Sequence, residues 1–121
     1  MLYLIHAADQ IYAGLHGLED WFITDCTSED VAWQEAEEAS LDIINSYSCI
    51  KETLDDDIES WKDDNMSEDD LEELIYDIYH EDIFAEVWKI DEKSIKGLSL
   101  HELDILLGKD PEEFIEKYCF Q

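Results

Sequence analysis

The sequence predicts an α+β fold, in which a small antiparallel sheet of about three strands carries several amphipathic helices on one face. Two observations favour this class. Three short stretches are rich in β-branched and aromatic residues, and the segments between them repeat apolar residues at steps of three and four. The length of 121 residues is typical of one domain, so we expect a single acidic domain over residues 1–121.

The three predicted strands run from Met1 to Ala8, from Trp21 to Cys26 and from Ile83 to Ile90. The segment Asp9 to Leu18 separates the first two and contains two glycines. Because glycine interrupts regular structure, this segment is predicted to be a long hairpin or loop.

The first helix is predicted to begin in the segment Thr27 to Asp30, where a hydroxyl cap is followed by an acid three residues later. Apolar residues then form one stripe at helical spacing: Ala32, Ala36, Ala39, Ile43, Tyr47 and Ile50. The segment Ser46 to Cys49 has low helix propensity, which predicts a kink or a break there.

Two further helices are predicted to be acidic on one side and apolar on the other. The apolar side of the first comprises Ile50, Leu54, Ile58 and Trp61, and its opposite side comprises Glu52, Asp56, Glu59 and Asp63. Asp64 and Asn65 interrupt the pattern, and Ser67 with Asp70 then resembles a new helix start. The second helix has the apolar stripe Leu71, Leu74, Ile75 and Ile78, opposite Asp69, Asp70, Glu73 and Asp77.

Two short helices are predicted near the end of the sequence. Ser99 to Glu102 is a capping box, and the helix that it opens should continue to about Leu107 and end at Gly108. Asp110 followed by Pro111 predicts the start of the last helix, since proline is favoured at the first helical position.

The chain is strongly acidic. It contains 34 Asp and Glu residues against seven lysines and no arginine, a formal net charge of −27. Fifteen of these acids lie in the 31 positions from Glu52 to Asp82, where Lys62 is the only lysine. Solubility alone needs a net charge of only about 2–8, and a larger charge opposes folding through self-repulsion. Since 45% of the residues are apolar, we expect a folded protein. We expect its negative charge to bind a basic protein partner.

Acidic helices can reproduce the charge spacing of a nucleic acid. Carboxylates three or four residues apart on one helix face are separated by about 6 Å, and B-DNA presents a phosphate every ~3.4 Å on each strand. We therefore predict that these helices bind the basic partner, with Tyr76 adding a stacking surface. The predicted partner-binding residues are Glu52, Asp55, Asp56, Glu59, Asp63, Asp64, Asp69, Asp70, Glu73, Asp77 and Tyr76. The alternative is that each acidic row is simply a solvated helix face.

No metal or cofactor site is predicted. The segment beginning at Asp63 has the alternating oxygen ligands of a calcium loop, but Glu68 stands where glycine is required and Leu74 where glutamate is required. The adjacent acids Asp55 to Asp57 could still bind divalent ions loosely.

Nothing in the sequence indicates catalysis. It has neither a glycine-rich phosphate loop nor a serine nucleophile elbow, and it lacks the arginine that usually binds anionic substrates. Cys26 could be considered as a nucleophile, although a structural thiol is the more common role. We expect a non-enzyme that binds neither nucleic acid nor membranes directly, since both repel it. Three unpaired cysteines favour the reducing cytoplasm.

Three segments carry a resemblance: Tyr12 to Gly17, Ser46 to Ile50 and Gly97 to Leu103. In these segments the chain resembles small acidic proteins of Gram-positive bacteria and their phages. In size and charge it is similar to phage inhibitors that imitate DNA, which include anti-CRISPR and anti-restriction proteins and inhibitors of uracil-DNA glycosylase. The resemblance implies a host bacterial cytoplasm and blockade of a defence nuclease such as a CRISPR-Cas effector.

Other interpretations remain open. The chain could be an adaptor or antitoxin that binds a basic partner through an apolar groove, or an acidic metal-dependent enzyme. Trp33, Trp61 and Trp88 are predicted to be core residues of a small domain. The oligomeric state, including a homodimer, is left open.

Overall fold

The computed structural model describes residues 1–10 and 19–120. The predicted loop between the first two strands therefore lies, beyond Gln10, outside the described residues. The elements in chain order are β1 (Leu2–Asp9), β2 (Glu19–Asp25), α1 (Glu29–Ser46), α2 (Ser48–Trp61), α3 (Glu68–Glu81), β3 (Ile83–Lys89), α4 (Leu100–Lys109) and α5 (Pro111–Tyr118).

The three strands form one antiparallel sheet in the order β2-β1-β3. β1 is central, and its His6 lies between Trp21 of β2 and Glu86 of β3. The predicted α+β class with a three-stranded antiparallel sheet is confirmed. β2 begins at Glu19, two residues before the predicted start.

Helices cover both faces of this sheet, so the prediction that they pack on one face is wrong. Neighbouring residues of a strand point to opposite faces. Leu4 packs in a cluster with Leu103 of α4 and Phe114 of α5, whereas its neighbour Tyr3 packs with Ala32 of α1. The physical reason is that β1 is apolar on both faces and is buried from Tyr3 to Asp9, which requires cover on both sides.

α1 packs on the sheet through the predicted stripe only as far as Ala36, and the buried positions after it differ from the predicted ones. The Ser28 hydroxyl caps the helix by accepting a hydrogen bond from the Val31 amide. The fully buried residues of α1 repeat at steps of four: Ala32, Ala36, Ser40 and Ile44. The predicted members Ala39, Ile43 and Tyr47 lie at the edge of this contact or in solvent. Small alanines let the helix approach the sheet closely.

The predicted break after the first helix is confirmed. α1 ends at Ser46 and α2 begins at Ser48, with Tyr47 in extended backbone conformation between them. Ile44, Ile50 and Leu54 form a buried cluster at the resulting corner, which fixes the direction of α2.

α4 and α5 follow one another with a single residue between them. Asp110 Oδ1 accepts hydrogen bonds from the amides of Glu112 (3.1 Å) and Glu113 (3.2 Å), and Pro111 is the first helical residue. Gly108 lies inside α4, so the prediction that it ends the helix is wrong. The helix instead ends before Pro111, which has no amide hydrogen to continue it.

Candidate partner-binding surface

α2 and α3 form a helical hairpin, which we call the acidic hairpin, joined by residues 62–67. Leu54 of α2 packs with Ile78 and Tyr79 in the last turns of α3. The Tyr79 hydroxyl also donates a hydrogen bond to Asp55 Oδ1 at 3.3 Å. The middle of α2 thus contacts the last turns of α3. The two acidic helices are therefore in direct contact.

All eleven predicted partner-binding residues are exposed. They are Glu52, Asp55, Asp56, Glu59, Asp63, Asp64, Asp69, Asp70, Glu73, Tyr76 and Asp77. α2 buries Ile50, Leu54 and Ile58 on its opposite side, whereas α3 has no fully buried residue. Both carboxylate rows therefore face solvent. The apolar side of α2 packs inward as far as Ile58, and that of α3 is only partly covered.

The acidic hairpin holds some of these residues by local hydrogen bonds. Asp63 Oδ1 accepts from the Asn65 amide at 3.1 Å in the turn that links the helices. The Asp70 amide donates to the Ser67 hydroxyl, which caps α3. Tyr76 stacks on His80 with ring centroids 3.6 Å apart, and 59% of Tyr76 remains exposed. The turn and the aromatic pair restrict how the surface can rearrange.

The negative charge of the acidic hairpin is not neutralised by lysines of the described residues. Among these residues, the one lysine within ion-pair distance of a carboxylate is Lys117, whose Nζ lies 2.6 Å from Glu113 Oε1 in α5. Residues 1–88 contain 26 of the 34 acidic residues and only two of the seven lysines. These two lysines are Lys51 and Lys62, and both are exposed. The excess charge is therefore concentrated away from the C-terminal part of the chain.

Acidic residues are also exposed outside the acidic hairpin. They include Glu37, Glu38 and Asp42 on α1, and Glu112 and Glu116 on α5. These rows are shorter than those of α2 and α3. They provide charge-matched positions for control substitutions.

Trp61 is a candidate interface residue that the sequence analysis placed in the core. It is 72% exposed, the largest exposed fraction among the large apolar residues of the described chain. As the last residue of α2, it lies where the chain leaves the helix, beyond the contacts of Leu54 and Ile58. Its side chain borders a shallow cleft of about 210 Å³ that Leu54 and Ile78 also line. The other two predicted core residues are less exposed: Trp33 is 38% exposed and Trp88 is half-buried.

A second cluster of polar and aromatic residues lies on the sheet, and the sequence analysis missed it. His6 of β1 is 8% exposed. Its Nε2 lies 2.7 Å from Glu19 Oε2 and its Nδ1 lies 3.0 Å from Glu86 Oε1. Each ring nitrogen therefore has a carboxylate oxygen within hydrogen-bonding distance. The imidazole also stacks on Trp21 with centroids 3.9 Å apart.

In the described part of the chain, the possible metal ligands and the cysteine thiols do not form a recognisable site. No group of three or more His, Cys, Asp or Glu residues within residues 1–10 and 19–120 is arranged to hold a metal ion. Cys26 and Cys119 are buried thiols and Cys49 is exposed. Burial raises the pKa of Cys119 to about 11, so this thiol is protonated at neutral pH.

Comparison of the chain with protein-family models, with curated proteins and with solved structures found no match. Of the described helices, none combines the length and apolar character required to cross a bilayer.

Proposed function

We propose that this chain is an acidic inhibitor that mimics nucleic acid and blocks the basic DNA- or RNA-binding site of a host defence nuclease. The observation that carries the proposal is the acidic hairpin, which exposes fourteen carboxylates without a lysine partner among the described residues. Ten of these carboxylates are predicted partner-binding residues, and Tyr76 is exposed among them. The target that we favour is a CRISPR-Cas effector, which would make the chain an anti-CRISPR protein acting in the bacterial cytoplasm.

Physical chemistry supports binding through this surface. A basic groove that holds phosphates is surrounded by anions when empty, and a dense row of carboxylates releases these ions on binding. Helices fix the spacing of the carboxylates before the partner arrives, which lowers the ordering cost of association. The packing of Leu54 against Ile78, with the hydrogen bond between Tyr79 and Asp55, also fixes the two helices relative to each other.

The choice of a CRISPR effector rests on the resemblance in size and charge to phage inhibitors that imitate DNA, and the size of the surface is compatible with it. Such effectors hold a guide–target duplex of about 20 base pairs in a long positively charged channel and read a short DNA duplex beside it. Two helices of 14 residues each are about 21 Å long at ~1.5 Å per residue, so they can cover several phosphates of a groove. A restriction enzyme and a uracil-DNA glycosylase are the competing targets.

A second function is favoured by one observation, the 72% exposure of Trp61. An adaptor or antitoxin would place this residue and the neighbouring cleft against a basic partner. That cleft is lined by both apolar and acidic side chains. Tryptophan is enriched among the residues that dominate binding energy at protein interfaces. In that case Trp61→Ala should weaken binding more than removal of carboxylates does.

The proposal is tested with a panel of purified nucleases: a CRISPR effector loaded with guide RNA, a restriction endonuclease and a uracil-DNA glycosylase. Activity on DNA is measured against increasing concentrations of the wild-type protein and of a hairpin variant. The hairpin variant carries Asp56→Asn, Glu59→Gln, Asp63→Asn, Glu73→Gln and Asp77→Asn. We expect the wild type to inhibit one member of the panel, and the hairpin variant to lose at least about tenfold in potency because charge-assisted contacts disappear.

A matched control variant removes the same number of negative charges, five, from positions outside the acidic hairpin. It carries Glu37→Gln, Glu38→Gln, Asp42→Asn, Glu92→Gln and Glu116→Gln, all at exposed positions. Full inhibition by the control together with weak inhibition by the hairpin variant assigns the effect to α2 and α3. Equal inhibition by wild type and hairpin variant would exclude the acidic hairpin as the inhibitory surface.

A further inference from the structure

A cleft of about 480 Å³ lies on the sheet face that α4 and α5 partly cover. We call it the tryptophan cleft. Trp21 and Trp88 line it together with His6 and the start of α5. The carboxylates that line it are Glu19, Glu86, Asp110 and Glu112. This cleft is separate in the fold from the acidic hairpin, because strands β1 to β3 and α5 build it.

We propose that the tryptophan cleft binds an arginine side chain presented by a protein partner. The two indole rings are stacked, with an interplanar angle of 14° and centroids 5.8 Å apart. Since the imidazole of His6 also stacks on Trp21, the indole that we infer contacts the ligand is Trp88. Cations are attracted to the faces of aromatic rings, most strongly to tryptophan. A guanidinium group is planar and weakly hydrated, so it stacks on an indole face at lower desolvation cost than an ammonium group.

The carboxylates around the cleft complement that charge. Glu19 and Glu86 each use one oxygen to contact His6, and their side chains remain 30% and 43% exposed. Each therefore keeps a second oxygen for a ligand. Glu112 is exposed beside them at the start of α5. The cleft is thus lined by four carboxylates and one imidazole, so its acidic groups outnumber its basic one.

The same features disfavour other ligands. The carboxylates repel anions, and a purely apolar ligand would leave charged groups without water. A lysine ammonium is a compact, strongly hydrated charge that does not match the planar face of an indole or offer two parallel donors to a carboxylate. Arginine combines an apolar stem, a planar cation and several donors, and the volume of the cleft accommodates the whole side chain.

The experiment uses the complete protein and the probe N-acetyl-arginine methylamide. The four tryptophan indole N–H signals are followed by nuclear magnetic resonance as the probe is added. We expect the Trp21 and Trp88 signals to move in a saturable way, with a dissociation constant on the order of millimolar, while the exposed Trp61 does not respond. The citrulline analogue has nearly the same shape without the charge and should bind at least about tenfold more weakly.

Two double variants test which carboxylates contribute to binding of the arginine probe. Glu86→Gln with Glu112→Gln should weaken binding of the arginine probe by roughly tenfold, because charge-assisted hydrogen bonds are lost. The matched control, Glu92→Gln with Glu116→Gln, should bind it like the wild type. An equal response to the citrulline analogue, stronger binding of the corresponding lysine probe, or no movement of either cleft signal would overturn the proposal. The hairpin variant should retain probe binding, so this test is independent of the proposed inhibition.

Discussion

The Tyr79 hydroxyl of α3 donates a hydrogen bond to Asp55 Oδ1 of α2 at 3.3 Å. Burial, and then the nearby Asp55 carboxylate, raises the pKa of Tyr79 above its ordinary value. This contact joins two helices that both carry a row of negative charges. It opposes the mutual repulsion of those rows at the point where the helices meet.

We predict that Tyr79→Phe destabilises the protein by about 0.5–1 kcal/mol, the typical net value of one hydrogen bond. The raised pKa means that folding favours the neutral phenol. Its contribution is complete below the unfolded pKa of about 10 and is lost as pH rises through the folded value. The variant should therefore lose less stability than the wild type on moving from neutral to strongly alkaline pH. Urea unfolding at both pH values measures this difference, and an identical alkaline loss in both proteins would contradict it.

Ser40 connects α1 to two strands, and we predict that its hydroxyl stabilises the sheet. Its Oγ donates to the Ala8 carbonyl and accepts from the Phe84 amide at 3.1 Å, in a site with 0% exposure. Ser40→Ala leaves a buried donor and a buried acceptor without this partner, which should cost about 2–3 kcal/mol. Urea unfolding measures the loss. Gln34→Ala, an exposed change on the same helix, should alter stability by less than about 0.5 kcal/mol.

We predict that salt stabilises the free protein. Raising the salt concentration from about 0.02 to 0.5 M shortens the screening length and weakens repulsion between exposed carboxylates. Like charges four residues apart on a helix each cost a few tenths of a kcal/mol, so relief of several pairs should raise the melting temperature by about 3–6 °C. The hairpin variant should melt higher than the wild type at low salt and gain less from added salt. A melting temperature that falls with salt would contradict the repulsion argument.

We predict that Trp61 contributes little to folding. Truncation of a core tryptophan costs about 3–5 kcal/mol, whereas changes at exposed positions are usually within about 0.5 kcal/mol. Because Trp61 is 72% exposed, Trp61→Ala should change the free energy of unfolding by no more than about 0.5 kcal/mol. Thermal unfolding measures the difference. A loss near the core value would show that the side chain packs more closely than its exposure indicates.

Local sequence patterns predicted the order of the helices and strands in this fold. They could not predict how the helices pack against the sheet. Capping residues such as Ser67 and Asp110 mark helix starts that the structure contains. Ser40 was missed because a serine on a helix is read as polar, and only tertiary contact reveals that it faces two strands. Trp61 was misplaced because helical periodicity gives the direction of a side chain but not whether another element lies over it.

The two candidate sites differ in how far sequence could locate them. The carboxylates of the acidic hairpin are close in the chain, and their exposure follows from amphipathic periodicity. The tryptophan cleft depends on strand register, which pairs His6 with Trp21 and Glu86 across long separations. A polar His6 within an otherwise apolar strand was the one local signal, and it gave no indication of its partners.

The most direct test of the account is whether this protein and DNA bind the inhibited nuclease at the same place. Binding of the labelled protein to that nuclease is measured at several concentrations of unlabelled target DNA. We predict strict competition, in which the apparent dissociation constant rises in proportion to DNA concentration, and binding that weakens steeply with salt. A ternary complex of nuclease, DNA and this protein with unchanged affinity would contradict the claim that the acidic hairpin occupies a nucleic-acid site.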